Sequence, residues 1–151
     1  NNVMLAADSQ SSSQIGDISR FKGVNLITPT EREARISSRN HEDGLVVLAQ
    51  QLKKLSSTDH IFLKMGEEGM LIYSGNTNGN ELLTDTISAL NTSPRDVAGA
   101  GDSLLISGAL TMTAGGSIWE AALIGSLAAA IQVGRVGNTS LKSKELLKEL
   151  T

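Results

Sequence analysis

Three short apolar runs constrain this chain more than any other feature: VMLAA at 3–7, VNLIT at 24–28 and IFLKM at 61–65. Each is long enough for a buried strand and too short for a helix. Between the second and third the period changes. Leu45, Leu48, Ala49, Leu52 and Leu55 recur at helical spacing, the signature of an amphipathic helix with one apolar face. Strands joined by helical crossovers imply an α/β sheet, mainly parallel and covered by helices on both faces.

Local signals fill in the rest. Pro29 stops the second strand, and Thr30 with Glu33 three residues on forms a capping box for a helix over Glu31–Ser38. Asn40 is expected to cap the next helix, with Asp43 in its first turn. Gly66 and Gly69 bracket a tight turn, so Ile61–Met65 and Met70–Tyr73 read as a hairpin. A polar turn, SGNTNGN, follows, then a strand over Leu82–Leu90 and a loop over Asn91–Pro94. Ala100–Ala114 reads as a helix ended by Gly115 and Gly116. Ser117 and Glu120 repeat the capping-box signature ahead of an Ala-rich helix over Ile118–Gln132, which the small residues suggest is buried on more than one side. A last short helix covers Lys144–Leu150, and the polar stretch 9–20 reads as a loop or short helix.

Composition excludes several function classes. The chain has 151 residues, enough for one domain with a core. A net charge of −3 gives no broad nucleic-acid footprint, and four aromatic residues give no base-stacking surface. Lys142, Lys144 and Lys148 are diluted by Glu145 and Glu149 and read as a solvated helix face. Without cysteine there is neither disulfide nor thiolate metal site, and His41 and His60 are too few for a histidine cluster. No basic region followed by a long apolar stretch opens the chain, and no stretch is long enough to span a membrane. The expectation is therefore a cytoplasmic protein with no membrane partner. The chain opens directly on a strand-like run, which suggests a piece of a longer protein.

The chemistry is concentrated in DVAGAGD, residues 96–102. Small residues at a helix N-terminus let an anion approach unpaired backbone N–H groups. The amides of Gly99, Ala100, Gly101 and Asp102 could converge on a phosphate. Asp102 could then take a proton from the hydroxyl that attacks it, which is what phosphoryl transfer requires. The plain alternative is an acid that favours the positive end of its helix. The spacing is neither a Walker A loop nor a dinucleotide fingerprint.

DVAGAGD resembles the Asp-Thr-x-Gly-Ala-Gly-Asp signature of the ribokinase-like (PfkB) carbohydrate kinases. The resemblance implies that Asp102 is the catalytic base and that Gly99, Ala100 and Gly101 form the anion hole. Asp96 matches the first Asp, and Val97 stands where Thr is usual. NLITPTEREA at 25–34 is similar to the family's Pro-Asn-x-x-Glu segment. On that likeness Glu33 helps hold a magnesium–phosphate water network, with Thr30 in place of Asn. KMGEEG at 64–69 is similar to the segment beside the nucleotide, which implies roles for Lys64, Gly66 and Gly69. ALIGSLAAAIQVGRVGN at 122–138 is similar to the adenine-side helix, with Ser126 near a nucleotide contact. The loop near Arg135–Asn138 then lies by the monovalent-cation site of members that have one. A weaker similarity points to the bacterial heptose-phosphate kinase branch.

The resemblance covers essentially the whole chain. It implies a ribokinase-like α/β fold, the C-terminal part of a mainly parallel sheet with a terminal hairpin. It implies ATP and Mg2+ as cofactors and a sugar or sugar-phosphate substrate. A full member is about twice as long, so residues 1–151 are expected to be a single partial domain, the nucleotide-binding half, lacking the sugar-binding half and its lid. Alone it is expected to be inactive on sugar, and its uncovered sheet edge invites pairing with a second copy. Two alternatives stand beside this reading: a non-catalytic nucleotide-binding module, and a structural α/β domain with no ligand.

Overall fold

A computed structural model describes residues 3–9, 16–75 and 82–151. Most of the first half of the polar stretch 9–20 and most of the SGNTNGN turn fall outside them. The elements are β1 (Ala6–Ala7), β2 (Leu26–Ile27), α1 (Glu31–Ser38), α2 (Leu45–Ser56), β3 (His60–Lys64), β4 (Met70–Gly75), β5 (Leu82–Ile87), α3 (Ala100–Thr113), α4 (Ile118–Val133) and α5 (Ser143–Glu149), with single 3-10 turns at Ile18–Arg20 and Gly66–Glu68. Strand order follows the chain, β1-β2-β3-β4-β5. The pairs β1–β2 and β2–β3 are parallel, and β3–β4 is the expected antiparallel hairpin, with Phe62 opposite Ile72. The sheet is mixed: parallel strands β1–β3 carry the expected hairpin, where the chain reverses at Gly66–Gly69.

Two compact units make up the chain: Asn1–Gly66 with Met70–Thr86, and Glu67–Gly69 with Ile87–Thr151. The first is an open sheet with α1 and α2 packed on it. Its core is Ile18, Ile27, Ala34, Leu48, Ala49, Leu52, Ile61 and Leu63, all fully buried, closed by Leu71 and Tyr73. Strand β1 is shorter than its apolar run. The Leu5 amide is taken by the Asn25 side chain at 2.9 Å, which ends the ladder one residue before Ala6. Helix α1 has the limits its capping box implies: Thr30 N–H and Oγ1 both donate to Glu33 Oε2, and the Glu33 amide returns to Thr30 Oγ1.

Asn40 does not cap α2. Its side chain accepts the amides of Glu42 and Asp43, closing a turn of its own, and the helix starts at Leu45 behind Gly44, four residues later than a cap at Asn40 would place it. A short polar side chain reaches amides two or three residues ahead, so it stabilises the nearer turn.

The second unit is built on the helix pair α3–α4, with α5 against α4. Helix α4 buries Ile118, Ala121, Ala122, Gly125, Ala128 and Gln132. At 100° per residue these fall in one stripe about 120° wide. Burial on several sides is therefore corrected to burial on one, and Leu123 on the far side is half exposed. Gly125 sets how near the helices come, since a Cβ there would stand 2.9 Å from the Leu104 carbonyl oxygen of α3.

Candidate functional site

The candidate residues fall in two groups, one in each unit. In the first unit, three parallel strands end side by side, and their C-terminal ends carry polar side chains. That is where open α/β sheets place their ligands. Asp8 follows β1, Thr30 and Glu33 follow β2, and Lys64 closes β3. Lys64 Nζ lies 2.8 Å from Asp8 Oδ2, and both side chains are mostly buried. Burial pushes the Asp8 carboxyl above its usual range. The Lys64 ammonium opposes that shift, and the Glu33 carboxylate nearby adds to it. The expected Glu33 is buried at the carboxylate end of its capping box, with Oε2 committed to Thr30. Beside it opens a cleft of about 610 Å³, lined by Thr30, Arg32, Arg35, His41, Lys64 and Gly66. Its cations suit an anionic ligand, although Arg35 is already paired with Glu31 at 2.8 Å. Gly66 stands at its rim with φ +63°, a backbone conformation that favours glycine.

Sequence reasoning overlooked Asp8. A carboxylate ending an apolar strand was the available signal, but its partner Lys64 is 56 residues away and only the parallel register brings them together.

In the second unit, the Gly99 turn takes the left-handed conformation, φ +76° and ψ 1°, and caps α3. The Ala100 amide donates to Val97 O at 3.3 Å and the Ser103 amide to Gly99 O at 2.9 Å. The Gly101 and Asp102 amides find no backbone acceptor among the described residues. This is the ordinary state of a helix N-terminus, and it leaves two donors free.

Asp102 occupies the third helical position, and so do Glu33 in α1, Glu120 in α4 and Glu145 in α5. Those three glutamates bend back and accept the N-cap amide, at 2.7, 2.7 and 2.8 Å. Asp102 makes no such bond. It is one methylene shorter, and its N-cap is a glycine turned left-handed. Its carboxylate is left exposed beside the two free amides.

Asp96, the other acid of the motif, is engaged. It accepts the Ala98 amide on Oδ1 and the Gly137 amide on Oδ2, each at 2.9 Å, and these bonds hold its carboxyl below the usual range. Asn138 lies against Gly99, where a Cβ would stand 2.6 Å from its Cγ. Ser126 sits half-buried in the middle of α4, and Gly69 is left-handed at φ +100°. Sequence reasoning named Asn138 only as the end of a loop near a cation site and gave Gln132 no role. Their residue types carry no motif, and only the return of the chain after α4 brings them to the turn.

No group of three or more Asp, Glu or His residues able to hold a metal ion occurs among the described residues. No described helix is long and apolar enough to cross a membrane.

Comparison with known proteins follows the same lines. The family model described as "pfkB family carbohydrate kinase" matches residues 1–145. The bifunctional protein HldE of Shewanella baltica is 32% identical over 150 residues, which cover 98% of this chain and 30% of that protein. Two solved structures share the fold. Arabidopsis thaliana ribokinase, complexed with ribose and ATP, superposes with a TM-score of 0.78 at 20% identity, over 98% of this chain and 47% of that one. Escherichia coli phosphofructokinase-2, in complex with potassium, gives 0.75 at 16% identity, over 95% and 45%. The chain thus spans under half the length of each of these three.

Proposed function

The chain belongs to the pfkB family of carbohydrate kinases, and from that premise we propose that it is the nucleotide-binding half of an enzyme that moves the terminal phosphoryl group of ATP onto a hydroxyl of a sugar or sugar phosphate. The fold is ribokinase-like, an α/β arrangement with a mixed sheet flanked by helices. The observation that carries the reading is Asp102: an acid at the helix position where its counterparts are consumed by capping, left free and exposed beside two amides without acceptors.

In this reading the Gly101 and Asp102 amides and the N-terminal end of α3 stabilise charge on the transferring group. The Asp102 carboxylate accepts the proton of the attacking hydroxyl. A bond forms between that oxygen and the terminal phosphorus, the bond to the ADP oxygen breaks, and its electron pair leaves with ADP. Gly99 holds the turn in a shape other residues resist.

Magnesium fits this chain as a hydrated ion rather than one caged by protein. Glu33 has one carboxylate oxygen committed to Thr30, and Asp8 is paired with Lys64, which leaves too few free oxygens for a full shell. Mg2+ commonly keeps several waters and binds through phosphates. Glu33 and Asp8 would hold its waters, and the ion would supply charge neutralisation between phosphates.

Asp102→Asn in the protein that carries this segment tests the proposal. Phosphoryl transfer to the sugar should fall by a factor of about 10²–10⁴, the usual contribution of general base catalysis. ATP affinity, read by thermal shift, should change little. Turnover retained by the variant would remove Asp102 from the base role. Nucleotide binding without turnover by the unaltered protein, across aldoses, ketoses and their phosphates, would favour the non-catalytic module.

A further inference from the structure

The Gly99–Asp102 turn is tied to the segment after α4 by a double clamp. Asp96 accepts the amides of Ala98 and Gly137, one on each oxygen. Gln132, in the last turn of α4, donates from Nε2 to the carbonyls of the same two residues, Ala98 O and Gly137 O, each at 3.1 Å. Positions 98 and 137 are thus held at both ends of their polar groups, by a carboxylate on the N–H side and by an amide on the C=O side. The Arg95 and Asp96 amides share the Val133 carbonyl, at 2.7 and 3.2 Å, and brace the same junction.

Gln132 is almost fully buried, and its Oε1 has no hydrogen-bond partner. Turning the amide over would aim that oxygen at two carbonyl oxygens, which repel it. The orientation is therefore fixed by the nitrogen, at the expense of an unpaired buried acceptor. A buried glutamine held in this way marks a position where two carbonyls need a donor more than the amide oxygen does.

Two converging carbonyls next to a carboxylate are also a donor set that suits a monovalent cation. The residues here do not fit one. The point shared by Ala98 O and Gly137 O is filled by the Gln132 nitrogen, and both Asp96 oxygens already accept amides. We propose that Gln132 is a positioning residue standing in for a monovalent cation: its amide nitrogen joins Ala98 and Gly137, fixes the Gly99–Asp102 turn, and leaves this chain independent of potassium or sodium at that place. Its bearing on phosphoryl transfer rests on the kinase reading, whereas the clamp itself does not.

The test is amide hydrogen exchange at Ala98 and Gly137, with thermal unfolding. Each is measured in potassium, sodium or tetramethylammonium chloride at one ionic strength. The unaltered chain should show the same protection in all three salts, and higher protection in potassium would overturn the proposal without any variant. Gln132→Met keeps the length and removes the donor, leaving two carbonyls unpaired. Protection in tetramethylammonium should drop about tenfold or more, and potassium should restore it. Gln132→Glu should make protection strictly potassium-dependent. Unchanged protection in Gln132→Met, or a loss that potassium restores in neither variant, would reduce Gln132 to packing and overturn the proposal. A cation-insensitive clamp in a chain that gives no thermal shift with ATP and magnesium would sink the kinase reading and leave this one standing.

Discussion

Gly99→Ala is the sharpest probe of the turn that carries the proposed chemistry. Three terms set its effect on stability. An alanine forced to φ +76° loses about 1–2 kcal/mol against glycine. The stiffer unfolded chain returns about 0.4–1 kcal/mol, so the backbone alone predicts a net loss of about 1 kcal/mol. The third term is steric. The new Cβ would stand 2.6 Å from Asn138 Cγ, so the Asn138 side chain must leave. Gly115 separates the terms, because it is also left-handed at φ +93° but has open space where its Cβ would go. Gly115→Ala should therefore report the backbone penalty alone, a drop in Tm of about 2–4 °C for a chain of this size. Gly99→Ala should lose measurably more. Adding Asn138→Ala to Gly99→Ala should recover the excess, since the clash then has no partner. Calorimetry or denaturant unfolding of these three variants and of Asn138→Ala alone reads all of this. Equal losses at positions 99 and 115, or no coupling between 99 and 138, would refute the close approach on which the shape of the turn is argued.

Two further expectations concern the first unit. Lys64→Met strands the Asp8 carboxyl in a mostly buried position and should cost up to about 3 kcal/mol. Because burial raises the folded pKa of Asp8 above its unfolded value, the folded state holds the proton more tightly. This group's contribution to stability is thus full in acid and declines as pH rises through that window. The decline should steepen in Lys64→Met, and urea unfolding across pH 3–7 would expose a flat profile as contrary evidence. Thr30→Ala removes the capping hydroxyl of α1 and should cost about 1 kcal/mol, whereas Thr30→Asn should restore most of it; equal stability of the three side chains in thermal unfolding would deny the cap its role.

The sequence by itself determined what depends on neighbours along the chain. Thr30 with Glu33 and Ser117 with Glu120 fixed two helix starts, because a capping box closes within four residues. The period of Leu45, Leu48, Ala49, Leu52 and Leu55 found the buried face of α2 at Leu48, Ala49 and Leu52, while Leu55 at the end of the same period is 42% exposed, and Gly66 with Gly69 fixed the hairpin turn. The DVAGAGD motif marked a small-residue turn ahead of α3 and the acid beside it, while the left-handed backbone of Gly99 came only from the structure. Asn40 misled for the same local reason, since its side chain could serve a nearer turn than the helix. Tertiary structure decided what depends on residues far apart. It paired Asp8 with Lys64 across a parallel register, confined burial on α4 to one stripe, and brought Gln132 and Asn138 to the turn. It also kept Asp102 free where Glu33, Glu120 and Glu145 are bound. Local signals are written in backbone geometry a few residues long. The partners of a buried amide or carboxylate are set by how the chain returns on itself, and no short pattern encodes that.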